Sequence, residues 1–201
     1  MRRPALLVSL LLILAGAYLA IVLAGRPDAT ALRNPLVVAG LKPIGVAAPS
    51  WQTMVLIAAR DTDLPPARLW ATWERLEAWP SWAAPLVVEA RWLDATGGWR
   101  PGARFEQVLD LGPLLSRVRS TETVGIVEPG RLVSWWKDTG GIKSNHTWSF
   151  EVRPDGGSRV VDVEIFDGIA IALARPIFEA RWQTRFDDAL DGLILAARRA
   201  K

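Results

Sequence analysis

The chain has 201 residues, with 24 Lys and Arg, 21 Asp and Glu, a single histidine and no cysteine. Lack of cysteine excludes disulfides, thiolate nucleophiles and cysteine-ligated metals, and a lone His146 excludes a multi-histidine metal site within one chain. Residues 1–53 hold five of the basic residues and one acid, so Met54–Lys201 keeps 19 basic and 20 acidic residues; with no clustered basic face for phosphates, nucleic acid is set aside as a partner.

Ala5–Ala24 is a run of twenty uncharged residues, ALLVSLLLILAGAYLAIVLA, preceded by Arg2 and Arg3 and closed by Arg26. A helix of that length rises about 30 Å, the thickness of a bilayer's hydrocarbon core. The run predicts an N-terminal transmembrane anchor over residues 1–25, with Leu6, Leu10, Ile13, Leu19 and Leu23 in lipid. A cleaved signal peptide ending at Val22-Leu23-Ala24 is the alternative, but its apolar stretch usually runs only about 7 to 15 residues. Basic residues nearly balance across the span, and the short basic head favours a single-pass membrane protein with its domain on the extracytoplasmic side.

Residues 26–53 contain Pro27, Pro35, Pro43 and Pro49, a density that argues against one continuous helix. They read as a stalk whose apolar patch, Leu36–Ala48, lies on the membrane or against the domain. Residues 54–201 are enough for one domain with a substantial core. Met54–Ala59 predicts a buried strand, and Asp63-Leu64-Pro65-Pro66 a helix start with Asp63 as cap. Leu69, Trp73 and Leu76 then share a helical face, which Trp79-Pro80-Ser81-Trp82 ends in a turn. Strand-like runs follow over residues 86–93, 103–111, 116–127, 131–137, 143–152 and 158–166, separated by Gly- and Pro-containing turns; this pattern predicts an antiparallel meander. From Pro176 the period changes, and Ile177, Trp182, Phe186, Leu190, Leu193 and Ala197 recur at helical spacing, predicting a long amphipathic helix.

Several short motifs lie along this order: Ile57-Ala58, Pro66-Ala67-Arg68-Leu69-Trp70, Trp79-Pro80-Ser81-Trp82, Pro101-Gly102-Ala103-Arg104-Phe105, Glu128–Trp135, Trp148-Ser149-Phe150 and Gly156–Val160. With them, residues 54–197 resemble the START-like helix-grip superfamily, specifically the polyketide cyclase/dehydrase and lipid-transport (SRPBCC) group. The resemblance implies an α+β fold in which a curved antiparallel sheet grips the C-terminal helix around a cavity for a hydrophobic ligand. It implies no single reaction and no cofactor, because members of the group include lipid carriers, hormone-binding proteins and aromatase/cyclases.

Eleven tryptophans supply large apolar faces with one N–H each, suited either to packing a core or to lining a site for an amphipathic ligand. The candidate pocket residues are Trp73, Trp82, Phe105, Trp135, His146, Trp148, Phe178, Trp182 and Phe186. Alternation puts His146 with Trp148 and Phe150 on one strand face, so it is a candidate hydrogen-bonding or acid/base group. Glu122, in phase with Val118, Val124 and Ile126, is the candidate cavity carboxylate; Asp162 and Glu164, out of phase with Val161, Val163 and Ile165, are expected to face solvent. The apolar turn Leu111–Leu115 suggests contact with a membrane, a partner or a ligand entrance. Together these features predict a membrane-anchored domain that binds a hydrophobic or amphipathic, lipid-like small molecule. The alternatives are a cyclase or dehydratase using His146 or Glu122, and a non-catalytic accessory subunit docked on a membrane-protein partner.

Overall fold

The computed structural model describes residues 3–112 and 117–200, with side chains from residue 8 onward. Seven strands form one antiparallel sheet: β1 (Thr53–Thr62), β2 (Val87–Trp92), β3 (Arg104–Asp110), β4 (Arg117–Glu128), β5 (Leu132–Asp138), β6 (Lys143–Val152) and β7 (Ser158–Asp167). Their order, β1-β7-β6-β5-β4-β3-β2, is a meander whose last strand returns to pair with the first. The tight turns anticipated between alternating runs dictate this order, since hairpin-linked strands pair with their sequence neighbours.

Four α-helices are described: α1 (Arg3–Ala24), α2 (Pro35–Leu41), α3 (Pro66–Trp73) and α4 (Ile169–Arg199). The last begins seven residues earlier than Pro176 suggests, and Pro176 sits inside it as an exposed residue. Its start is forced by Gly168, with φ +144° and a Cβ position only 2.3 Å from the carbonyl oxygen of Gly141. Farther along, Gly192 lets α4 close on the sheet domain; a Cβ there would lie 2.0 Å from the Trp82 carbonyl oxygen. For α3, Pro65 is the capping residue rather than Asp63, which instead reaches Arg198 of α4 at 2.5 Å.

The concave face of the sheet, α3 and the inner face of α4 enclose the main core. A second core lies on the convex face, where Val37, Leu41 and Ile44 cover Val161, Val163 and Ile165. The stalk's apolar patch thus packs against the domain. This second core reverses the expectation for Asp162 and Glu164. The valines and isoleucine of β7 are its outward-facing residues, apolar because α2 covers them, and the alternating acids point inward under α4. Ile126 also departs from its expected face. The register shifts between Val124 and Val127, leaving Ile126 exposed while Glu122 and Val124 stay buried.

Among the described residues, helix α1 meets the domain toward its C-terminal end. Val22 is buried, the Tyr18 hydroxyl donates to the Leu173 carbonyl, and Gly25 seats against the buried Arg175 guanidinium. Among the described residues no helix is long and apolar enough to cross a membrane. The apolar part of α1 with described side chains, residues 8–24, rises about 26 Å, short of the roughly 30 Å core. The anchor expected over Ala5–Ala24 is to that extent unsupported, and the Leu6 side chain lies outside the described residues, as do residues 113–116 of the apolar turn and the strand start at Ser116.

Candidate functional site

The inner face of the sheet carries a band of ionisable groups crossing from β4 to β7. On β6 the two-residue period points His146, Trp148 and Phe150 toward α4, and register sets His146 between Trp135 of β5 and Glu164 of β7. Its Nε2 lies 2.5 Å from Asp162 Oδ1, and its Nδ1 3.4 Å from Glu164 Oε2. The Trp148 indole N–H also points at Nε2, at 3.1 Å. Nε2 therefore has two partners of opposite kind. Protonated, it donates to Asp162; unprotonated, it accepts from Trp148.

Burial alone lowers the pKa of His146, but the negative charge of Asp162, Glu164 and, more weakly, Glu122 outweighs it and holds the imidazole above its usual range. For the acids burial acts in the opposite sense. It raises Asp162 against the opposing charge of His146, and it pushes Glu164 up to about 7 despite His146 and Lys137. The three groups are in direct contact and titrate as one cluster.

The other half of the band is built on Glu122, opposite Phe105 in the β3–β4 ladder. Glu122 Oε1 accepts from Ser120 Oγ at 2.6 Å, Lys137 Nζ at 3.3 Å and Gln107 Nε2 at 3.4 Å, while Lys137 also reaches Ser120 Oγ at 2.6 Å. Glu122 Oε2, in a side chain buried to 1% exposure, has no partner among the described residues. That leaves a buried acceptor site open.

Aromatic rings frame the band. Trp135 and, from α4, Phe186 lie on His146 with centroids 4.4 and 5.3 Å away. Toward α3, Trp73 is the hub of a packed group that includes Trp79, Trp99, Trp135 and Trp148, with centroids 4.5–6.2 Å apart. Phe105 joins through Trp135 and Trp79, and Trp82 through Trp148. At this end the tryptophans fill space by packing on one another. Toward the start of α4, Phe178 and Trp182 pack with each other, and Trp182 packs with Phe166. The indole N–H groups of Trp73, Trp82 and Trp182 are buried without partners among the described residues.

All nine candidate pocket residues are thus buried on the inner side, spread along α4 from Phe178 to the Trp73 group. Asp162, Glu164 and Lys137 were not anticipated there. The signal for the two acids was the apolar patch at Leu36–Ala48, which needed a surface to cover; once it covers β7, the acids must turn inward. Among the described residues no group of three or more His, Asp or Glu side chains is arranged to hold a metal ion.

Residues 56–198 match the family model described as polyketide cyclase/dehydrase and lipid transport. The chain belongs to this family. No curated protein is similar enough to match. Among solved structures, the aromatase/cyclase ZhuI from Streptomyces sp. R1128 is 12% identical with a TM-score of 0.61, over 73% of this chain and 94% of that one. TTHA0849 from Thermus thermophilus is 20% identical with a TM-score of 0.59, over 72% and 97%. The di-domain aromatase/cyclase BexL of the BE-7585A biosynthetic pathway is 13% identical with a TM-score of 0.59, over 75% and 51%. At these identities the likeness is one of fold. This member of the polyketide cyclase/dehydrase and lipid transport family therefore carries a ligand-binding helix-grip domain, and its own interior has to supply the chemistry.

Proposed function

We propose that this domain binds an amphipathic, lipid-like molecule between the sheet and α4, and that α1 tethers it to a membrane. The observation that carries the binding reading is the polar band itself: five ionisable side chains inside an aromatic interior, with Glu122 Oε2 and three indole N–H groups unpartnered. A buried polar atom without a partner costs about 1–3 kcal/mol, so a ligand that supplies the missing hydrogen bonds is favoured over an apolar filling. Three carboxyl groups face only Lys137 and His146 within the band. At the band the preferred polar end is accordingly a hydrogen-bond donor, a hydroxyl or an amine, and a ligand carboxylate is disfavoured there, while the indole N–H groups call for a neutral acceptor oxygen.

Native mass spectrometry of the full chain released from mild detergent, with oleyl alcohol, oleylamine or oleic acid added, tests this reading. Binding of the alcohol or amine at least about tenfold tighter than the acid, a difference of roughly 1.4 kcal/mol, is the expected result. An interior that takes up none of the three, with no lipid co-purifying, overturns it.

For the tether, the support is the exposure of α1. Leu10–Leu14 are five consecutive apolar residues that are 51–68% exposed, so the helix has no dry face that the domain covers. Extraction of the full chain from membranes by alkaline carbonate tests it, and release into the soluble fraction rejects it. The extracytoplasmic placement rests on the basic head Arg2-Arg3, and a reporter fused after Lys201 reads it directly.

Glu164, with its pKa near 7 beside His146, favours one second reading: an acid/base enzyme of cyclase or dehydratase type. Turnover of a polyketide analogue that is unchanged in His146→Gln, Glu122→Gln and Glu164→Gln rejects it.

A further inference from the structure

The outer face of α4 carries a feature that pocket binding does not use. Ile169, Leu173 and Ile177, spaced four residues apart, are 59%, 45% and 58% exposed. They form one apolar row on the first turns of the helix. The next residue in the row is Arg181, exposed, with Arg185 one turn beyond. Among the described residues neither arginine takes part in an ion pair. A row that passes from branched aliphatics to unpaired arginines is the pattern of a helix lying in a membrane interface.

The junction with α1 adds position to this pattern. Tyr18 reaches the carbonyl of Leu173, and Gly25, just past the end of α1, seats on the Arg175 guanidinium, so the C-terminal part of α1 meets the first turns of α4. Leu173 meets α1 six residues before its apolar run ends at Ala24, about 9 Å along the helix. With α1 in a bilayer, the start of α4 is held at the membrane surface beside the C-terminal end of α1. Its apolar row is then continuous with the exposed apolar surface of α1, and Arg181 and Arg185 stand at headgroup level.

We infer that the first three turns of α4 are embedded in the interface of an anionic bilayer, with Ile169, Leu173 and Ile177 in the acyl region and Arg181 and Arg185 on headgroup phosphates. This rests on the membrane reading of α1. It gives α4 two apolar environments, lipid outside and the Phe178–Trp182 end of the interior inside, so a lipid-like ligand has a bilayer at the helix that closes the pocket.

The absence of native cysteine allows single-cysteine spin labels on the full chain. Labels at Ile169→Cys, Leu173→Cys and Ile177→Cys are compared with Val152→Cys at the opposite end of the sheet and with Leu12→Cys in α1, in phosphatidylcholine vesicles with and without phosphatidylglycerol. The expected result is a several-fold higher oxygen-to-nickel-chelate accessibility ratio at the three α4 sites than at Val152, rising with phosphatidylglycerol. That rise is expected to vanish in Arg181→Gln/Arg185→Gln. If the α4 labels are as aqueous as Val152 while Leu12 is in lipid, the interfacial inference fails and the anchor stands. If Leu12 is aqueous too, both fail. Lipid-buried α4 labels with an aqueous Leu12 keep interfacial docking and remove the span.

Discussion

Raising the pH from 5 to 7.5 is expected to destabilise the domain, against the usual trend for acidic groups. Glu164 has a folded pKa raised from 4.5 to about 7 by burial, so the folded state binds its proton more tightly than the unfolded chain does. Its stabilising contribution is fully present below pH 4.5 and is lost as pH rises toward 7. A shift of that size corresponds to about 3 kcal/mol, most of it lost between pH 5 and 7. His146 and Asp162 are also raised, so both add to the loss in the same direction. The acids held low by hydrogen bonds or arginines, Asp28, Asp63 and Glu106, lose their stabilisation only below their ordinary range and leave this window clear. Urea unfolding followed by tryptophan fluorescence at half-unit pH steps measures the effect. Glu164→Gln keeps the shape of the side chain and removes its titration, so its stability is expected to fall clearly less steeply than that of the wild type, the remaining slope coming from His146 and Asp162. A wild-type curve that rises from pH 5 to 7.5, or a Glu164→Gln curve with the wild-type slope, refutes the inward placement of these groups.

Lys137→Met strands Glu122 as a buried carboxylate and is expected to cost about 3–5 kcal/mol in denaturant unfolding, whereas adding Glu122→Leu to it recovers most of the loss. Gly192→Ala places a methyl 2.0 Å from the Trp82 carbonyl, so a loss of about 2–4 kcal/mol is expected by the same assay; a neutral result contradicts the close approach of α4. Val163→Asp puts a charge between β7 and α2, and limited proteolysis is expected to cut residues 26–50 well before the sheet; equal cutting rates in variant and wild type contradict the second core.

The order of elements was legible because the turns are. Pro101-Gly102, Glu128-Pro129-Gly130 and Gly156-Gly157 separate runs of period two, and a run of period 3.6 follows them. The burial of the aromatic candidates was legible for a related reason, since aromatic side chains in phase on β5, β6 and α4 have only the interior to occupy. Asp162 and Glu164 were misread because alternation gives two faces without saying which is inside. On an isolated sheet the valines of β7 would face the core, as assumed. Here both faces are covered, and the second cover comes from a proline-rich segment more than a hundred residues away in sequence. Pro176 misled differently. A proline eight residues into a helix removes one backbone donor, but at an exposed position with the next turns anchored by Phe178 and Trp182 the helix carries through.

Helix α4 is the element through which the two proposals meet. Arg175, one turn from Phe178, is buried under Gly25 and donates to the Thr53 carbonyl at 3.1 Å, tying the end of α1 to the first residue of β1. A guanidinium beneath the C-terminal carbonyls of α1 also meets the negative end of that helix's dipole. A shift of α1 relative to the sheet therefore acts on the turn of α4 that carries Phe178 and Trp182. The joint lies beside the Phe178–Trp182 end of the interior, away from the Trp73 group. Among the described residues Arg175 is the buried charge that links the proposed anchor, the gripping helix and the sheet. If lipid is loaded from the bilayer, this is the joint at which the tether and the pocket are mechanically coupled.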